Sequence, residues 1–128
     1  MRIIDHESEA REEWRDGVTT RMLASALTGT TQLCVFEQWC APGRGAPMHL
    51  HAVEEVLSVI DGRAEISLGE EKAVLISGQS VVVPAGVKHG FQNLGDKTLH
   101  VRATLAAPIF EAAFDDKREA SWRWLPGR

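Results

Sequence analysis

GRGAPMHLHAVEEVLSVIDG (residues 43–62) and GQSVVVPAGVKHGFQN (residues 78–93) decide the fold of this chain. In the first, the Pro and Gly content of 41–47 reads as a loop, 48–60 as strand and Asp61-Gly62 as a tight turn. Side chains two apart in a strand point the same way, about 7 Å apart. His49 and His51 therefore share a face. Glu55 has their parity and Glu54 does not, provided no bulge intervenes. In the second, Val81-Val82-Val83 is a short buried strand ending at Pro84. Pro84-Ala85-Gly86 turns, and 88–93 alternates again, with His89 on a strand that can fold back beside the first. Three imidazoles and one carboxylate on a concave wall suit one divalent ion of Fe, Mn, Ni, Co, Cu or Zn.

Outward from these stretches the same pattern continues. Residues 17–23 and 32–40 read as strands before the first stretch. Between the two, 63–68 alternates Ala64, Ile66 and Leu68 against Arg63, Glu65 and Ser67, and 73–76 begins another strand; 98–105 follows the second. Many short strands separated by Gly, Pro and Asp-Gly signals indicate an all-β, antiparallel sandwich or barrel. Residues 5–15 are either one short helical stretch or an extended arm. Pro108 to Arg118 reads as helical, with Pro108 in the first turn and Ile109, Ala112 and Ala113 on one face. Trp122 and Trp124 pin the tail onto the barrel or a partner subunit. The expected division is an N-terminal arm 1–16, a barrel 17–107 and a C-terminal helical segment and tail 108–128.

With those residues in place the chain resembles the cupin superfamily. Its first motif is Gly, five residues, His-x-His, three or four residues, Glu, six residues, Gly. Gly43, His49, His51, Glu55 and Gly62 match it. Its second is Gly, five residues, Pro-x-Gly, two residues, His, three residues, Asn. Gly78, Pro84, Gly86, His89 and Asn93 match it. Both are complete and in order. Gln79 stands where many relatives carry Asp, a departure that touches a turn and not the ligand set. The resemblance implies a jelly-roll β-barrel of one domain, with His49, His51, Glu55 and His89 as ligands of one metal ion per chain. Gly62 and Gly86 stand at turns where a positive φ is expected.

With 128 residues, 44% of them hydrophobic, the chain can bury a core without disulfides. Cys34 and Cys40 lie six apart in one strand, too far to bridge, and share a face with Phe36 and Gln38. The net charge of -4 and the lack of a basic tract argue against nucleic-acid partners. The polar N-terminus and the lack of a long apolar run argue for a cytoplasmic protein with no membrane contact.

Fold does not fix function. The absence of tyrosine disfavours epimerase and lyase mechanisms that use one. The leading expectation is a metal-dependent oxidoreductase, dioxygenase-like, acting on a small organic molecule, and resemblance to flavonol-type dioxygenases implies that Glu55 can act as a base. The alternatives are a non-catalytic small-ligand-binding cupin and a metal-dependent isomerase or decarboxylase. Parity makes Leu57, Val59, Phe91 and Asn93 pocket candidates. Arg102 joins them if the polar face of its strand lines the cavity; otherwise that face is solvated. Phe36, Trp39 and Met48 line either the mouth or a subunit interface. A homodimer by sheet extension is expected, with the arm and the Trp-bearing tail as interface candidates.

Overall fold

In the computed structural model, which describes residues 1–115 and 122–127, the alternating segments become antiparallel strands. In chain order they are β1 Arg11–Arg15, β2 Val18–Ala24, β3 Cys34–Cys40, β4 Gly45–Leu50, β5 Glu55–Asp61, β6 Arg63–Leu68 and β7 Glu71–Ile76. β8 Ser80–Val83, β9 His89–Asn93, β10 Leu99–Leu105, β11 Phe110–Glu111, β12 Ala113–Phe114 and β13 Trp122–Arg123 follow. One sheet runs β1-β2-β3-β10-β5-β8 and the other β12-β4-β9-β6-β7, with β11 paired to β13. Their inward residues, among them Val18, Phe36, Leu57, Val101 and Leu105 from the first and Ala64, Ile66 and Phe91 from the second, make one buried core. The architecture is the all-β antiparallel barrel expected from the alternation, and the jelly roll that the resemblance implies.

Three expectations change. The stretch 48–60 is not one strand: β4 ends at Leu50, and β5 begins at Glu55 in the opposite sheet. Residues 5–15 hold a short 3-10 turn at His6–Ser8 and then β1, so of the two readings the extended one holds from Arg11, and the segment is a full member of the larger sheet. Residues 108–115 are not helical. β12 pairs with β4, Phe114 opposite His49, and covers what would otherwise be a free edge. The competing signal is the burial of Phe110, Ala112 and Phe114 at period two, which the helical reading passed over. Residues 116–118 of that expected helix lie outside the described residues.

Glycines permit the local geometry around the site. The pairing of β4 with β9 slips between Ala46 and His49, so three steps on β4 match two on β9. This bulge turns both Ala46 and His49 inward and leaves Met48 on the outside. Gly90 faces the bulge; a Cβ there would come within 2.8 Å of the Ala46 carbonyl and 3.2 Å of the Met48 sulfur. Gly62 and Gly86 have φ of 100° and 76°, the left-handed values their turns require. Gln79 serves its hairpin, its Oε1 accepting from Ile76 N at 3.0 Å. Cys34 and Cys40 are free and buried, and burial pushes both thiols up to about 12. Among the described residues no helix is long and apolar enough to cross a membrane.

Candidate metal centre

Four elements bring the site together. His49 comes from β4 beyond the bulge, His51 from the chain just after it, Glu55 from the first position of β5 and His89 from the first position of β9. His49 and His89 are direct cross-strand partners. All four side chains are buried, and one donor atom from each lies within 4.8 Å of the others. Parity named Glu55 for a reason the structure replaces. The chain crosses between sheets at 51–54, and Glu55 looks back at the histidines from the opposite wall, while Glu54 faces out.

Each imidazole is held by its Nδ1. The acceptors are the backbone carbonyls of Pro47 for His49 at 2.7 Å, Glu111 for His51 at 2.5 Å and Val87 for His89 at 3.0 Å. A carbonyl only accepts, so each Nδ1 carries hydrogen and each Nε2 turns inward. Nε2 of His89 lies 2.8 Å and Nε2 of His51 3.4 Å from Glu55 Oε1. Donors bound at about 2.0–2.2 Å from one ion stand at most about 4.4 Å apart. The set therefore needs a shift of only a few tenths of an ångström, and its three imidazoles and one carboxylate fit a divalent transition ion.

The electrostatics suit the same use. Burial, then the neighbouring His89, lowers His49 to about 3, so its imidazole is neutral and ready to donate a lone pair. Burial opposes ionisation of Glu55, but hydrogen bonds from His51 and His89 and their charges outweigh it and bring the carboxyl down to about 2. Burial likewise opposes protonation of His51, but its bond to Glu55 and that carboxylate's charge leave it raised.

The donors open into a largely apolar cavity. All four phenylalanines of the chain line it, together with Trp14, Leu57 and Ala103. The Phe114 ring stacks on His49 with centroids 5.0 Å apart, and Phe110 meets His51 edge-on at 5.6 Å. Trp124 closes the cluster against Trp14, Phe36 and Phe110. Of the pocket residues named from parity, Leu57 and Phe91 line the cavity. Val59 does not; it is packed into the core. Asn93 is tied to the backbone instead, donating to the carbonyls of Cys40 at 3.0 Å and Lys97 at 2.7 Å. Arg102 points out from β10, exposed, 4.0 Å from Glu37, because Val101, Ala103 and Leu105 take the inward parity. Trp39 is likewise outward, stacked on His100.

Parity did not name Trp14, Arg15, Gln38, Phe110 or Phe114, which also line the cavity. The signal for Gln38 was a polar residue sharing the parity of Cys34, Phe36 and Cys40. For Phe110 and Phe114 it was their spacing. Trp14 and Arg15 precede the first expected strand and gave no local sign.

Comparison with known proteins places this geometry. Polyketide synthase CurC of Streptomyces cyaneus is 28% identical over 97 residues, 75% of this chain and 63% of that protein. Quercetin 2,3-dioxygenase of Bacillus subtilis is 34% identical over 68 residues, 52% of this chain and 20% of that protein. This chain thus spans less than two thirds of either relative. Among solved structures, the formate complex of oxalate decarboxylase from Lactobacillus farciminis superposes with a TM-score of 0.79 at 19% identity, over 87% of this chain and 35% of that one. The model of the cupin domain matches residues 37–106, which carry β4, β6, β7 and β9 of one sheet, β5, β8, β10 and most of β3 of the other, and all four donor residues. That match takes in more than half of the sequence, and the chain belongs to the cupin family.

Proposed function

We propose that the protein is a metal-dependent oxidoreductase of dioxygenase type acting on a small organic molecule. One divalent transition ion would be held by His49, His51, Glu55 and His89. The observation that carries this reading is the convergence of three Nδ1-anchored imidazoles and one carboxylate at the base of an aromatic-lined cavity. The likeness to quercetin 2,3-dioxygenase supports it over half of this chain. A bound ion with accessible redox states would supply Lewis acidity and electron exchange there. The chain's residues do the rest. The phenylalanines exclude water and orient a flat molecule, and Glu55, already paired with two imidazoles, can take a proton from a hydroxyl brought beside it.

Protein loaded anaerobically with Fe(II) and mixed with hydroxylated aromatic substrates should consume dioxygen in proportion to substrate lost. Release of CO₂ without oxygen uptake would make it a decarboxylase, and recovery of unchanged ligand a binding protein; either result removes the oxidoreductase reading.

A homodimer by sheet extension belongs to the same reading. β8 is an edge strand, and Val82 on it and Val56 beside it on β5 leave aliphatic surface exposed. Sedimentation should give twice the 14.1 kDa chain mass, and a single monomeric species would exclude the dimer.

A further inference from the structure

The space left among the four donors is about 20 Å³, enough for one or two waters. An organic molecule therefore brings only its reacting end there, and its body lies elsewhere. The neighbouring space is a groove of about 370 Å³ bordered by the end of β1, the start of β4 and the side of β9, with Arg15, Arg44, Gly45, Phe91 and Gln92 in its lining. Arg15, Ala46 and Phe91 line both the groove and the donor cavity, and so form the neck that joins them.

Arg15 reaches this neck because β1 is irregular. Consecutive residues of a regular strand face opposite ways. The pairing of β1 with β2 slips between Glu13 and Arg15, where two steps on β1 match one on β2, and Trp14 and Arg15 both come to line the donor cavity. Among the described residues Arg15 is the one arginine or lysine in that lining. Its Nη1 donates to the Gly45 carbonyl at 3.1 Å, and its guanidinium lies over the Phe114 ring, 5.6 Å from the centroid. Phe114 in turn stacks on the donor His49.

We propose that Arg15 makes this neck a carboxylate subsite, and that the substrate is a small organic carboxylate. Its anionic head is held by the guanidinium, its body lies in the groove and its reacting end alone enters among the donors. This rests on the metal-dependent reading of the site proposed above. The chain carries a net charge of -4, yet among the described residues the groove sets Arg15 and Arg44 against the single carboxylate of Asp16. Such a cationic spot on an acidic protein draws anions. A planar carboxylate matches the planar fork of a guanidinium, which a neutral amide does not. Phe91 and Pro47 offer apolar wall to the body. Arg102, the cation that alternation offered for an anion, faces out from β10, and the bulge in β1 supplies the role instead.

The test uses the whole chain without metal, so that no ion competes for the probe. Benzoate and benzamide, alike in shape and different in charge, are titrated by calorimetry. The wild type should bind benzoate about tenfold more tightly, and the preference should shrink as salt is added. Arg15→Gln should bring the ratio to about one, and Arg15→Lys, which keeps the charge without the fork, should leave it in between. Arg102→Gln removes the same charge from the exposed outer face and should keep the wild-type ratio. Equal binding of the two probes, benzoate that does not bind at millimolar concentration, or a ratio that survives Arg15→Gln overturns the inference. A ratio lost equally in Arg102→Gln means that net charge alone draws the anion, and overturns it too. The wild-type comparison stands even if Arg15→Gln does not fold. Zinc uptake by the same samples separates the two claims. Bound zinc without a carboxylate preference overturns the role of Arg15 alone, whereas a carboxylate preference in a chain that takes up no zinc overturns the metal reading beneath it.

Discussion

His89→Ala, purified alongside the wild type and offered Fe(II), Mn(II) or Zn(II), should hold no stoichiometric metal where the wild type holds about one ion per chain. Loss of a group that merely supports a ligand costs metal sites about 10–100-fold in affinity, so loss of one of four donors should cost more than about 100-fold. His89 is an especially damaging position. It pairs directly with His49 and contacts Glu55 at 2.8 Å, so its removal also loosens the carboxylate. The second readout is stability. Metal at about 1,000 times its Kd stabilises a folded site by about 4 kcal/mol, which for a chain of this size raises Tm by on the order of 10–15 °C. The wild type should show that rise and His89→Ala should not, while Glu54→Ala, exposed and one residue from the donor, should behave as wild type. A wild type that takes up no metal under anaerobic loading would sink the site.

The same uptake should tighten as pH rises through the neutral range. His51 is raised above its usual 6.5 by Glu55, so the metal-free site is protonated below that raised value, and the proton must leave for the metal to enter. His49, lowered to about 3, is neutral throughout and contributes nothing to that dependence. Loading should therefore release a proton, visible as a buffer-dependent binding enthalpy.

Most of the architecture was legible because strands write themselves at period two. Residues 63–68 became β6 at those bounds, and Asp61-Gly62 became the turn ahead of it. What failed did so for tertiary reasons. One apolar β-branched run, 48–60, gave no local sign that its middle leaves one sheet for the other. The outcome for Glu55 was right although parity does not carry across such a break. Arg102 and Gln38 show the other limit. Both are polar residues in alternating strands, and alternation alone does not say which parity faces in. Only the pairing of β10 with β3 and β5 turns Arg102 out and Gln38 in. The cavity's floor could be read because it is built from residues close in sequence. Its walls come from β1 and β12, near the two ends of the chain, and become visible only once the sheets close.

Glu37→Ala should cost about 3–5 kcal/mol in stability while leaving metal uptake unchanged. Glu37 is on the outward parity of β3 yet only 3% exposed. Its Oε1 accepts from Arg21 Nε at 3.0 Å and Nη2 at 2.7 Å, and its Oε2 lies 2.8 Å from His100 Nε2. Trp39 covers the group, stacked on His100 with Arg11 above its other side. Removing the carboxylate leaves Arg21, itself 8% exposed, with only the exposed Glu7 at 3.2 Å, among the described residues, to answer its charge. An uncompensated buried charge carries a cost of that size, a large share of the roughly 5–15 kcal/mol that holds a domain folded. Replacing both partners together, Arg21→Met with Glu37→Leu, should recover most of the loss, because the desolvation cost of both charges disappears with them. The acid limb follows the same logic. Burial opposes its ionisation, but the bonds from Arg21 and His100 leave Glu37 lowered from 4.5. Its contribution is therefore present above about 4.5 and is lost as pH falls through the lower folded value. Guanidinium unfolding of the three proteins at neutral and acid pH measures both effects. A loss below about 1 kcal/mol for Glu37→Ala would mean that water reaches this face, and that the outer surface of the larger sheet is held by its apolar strands alone.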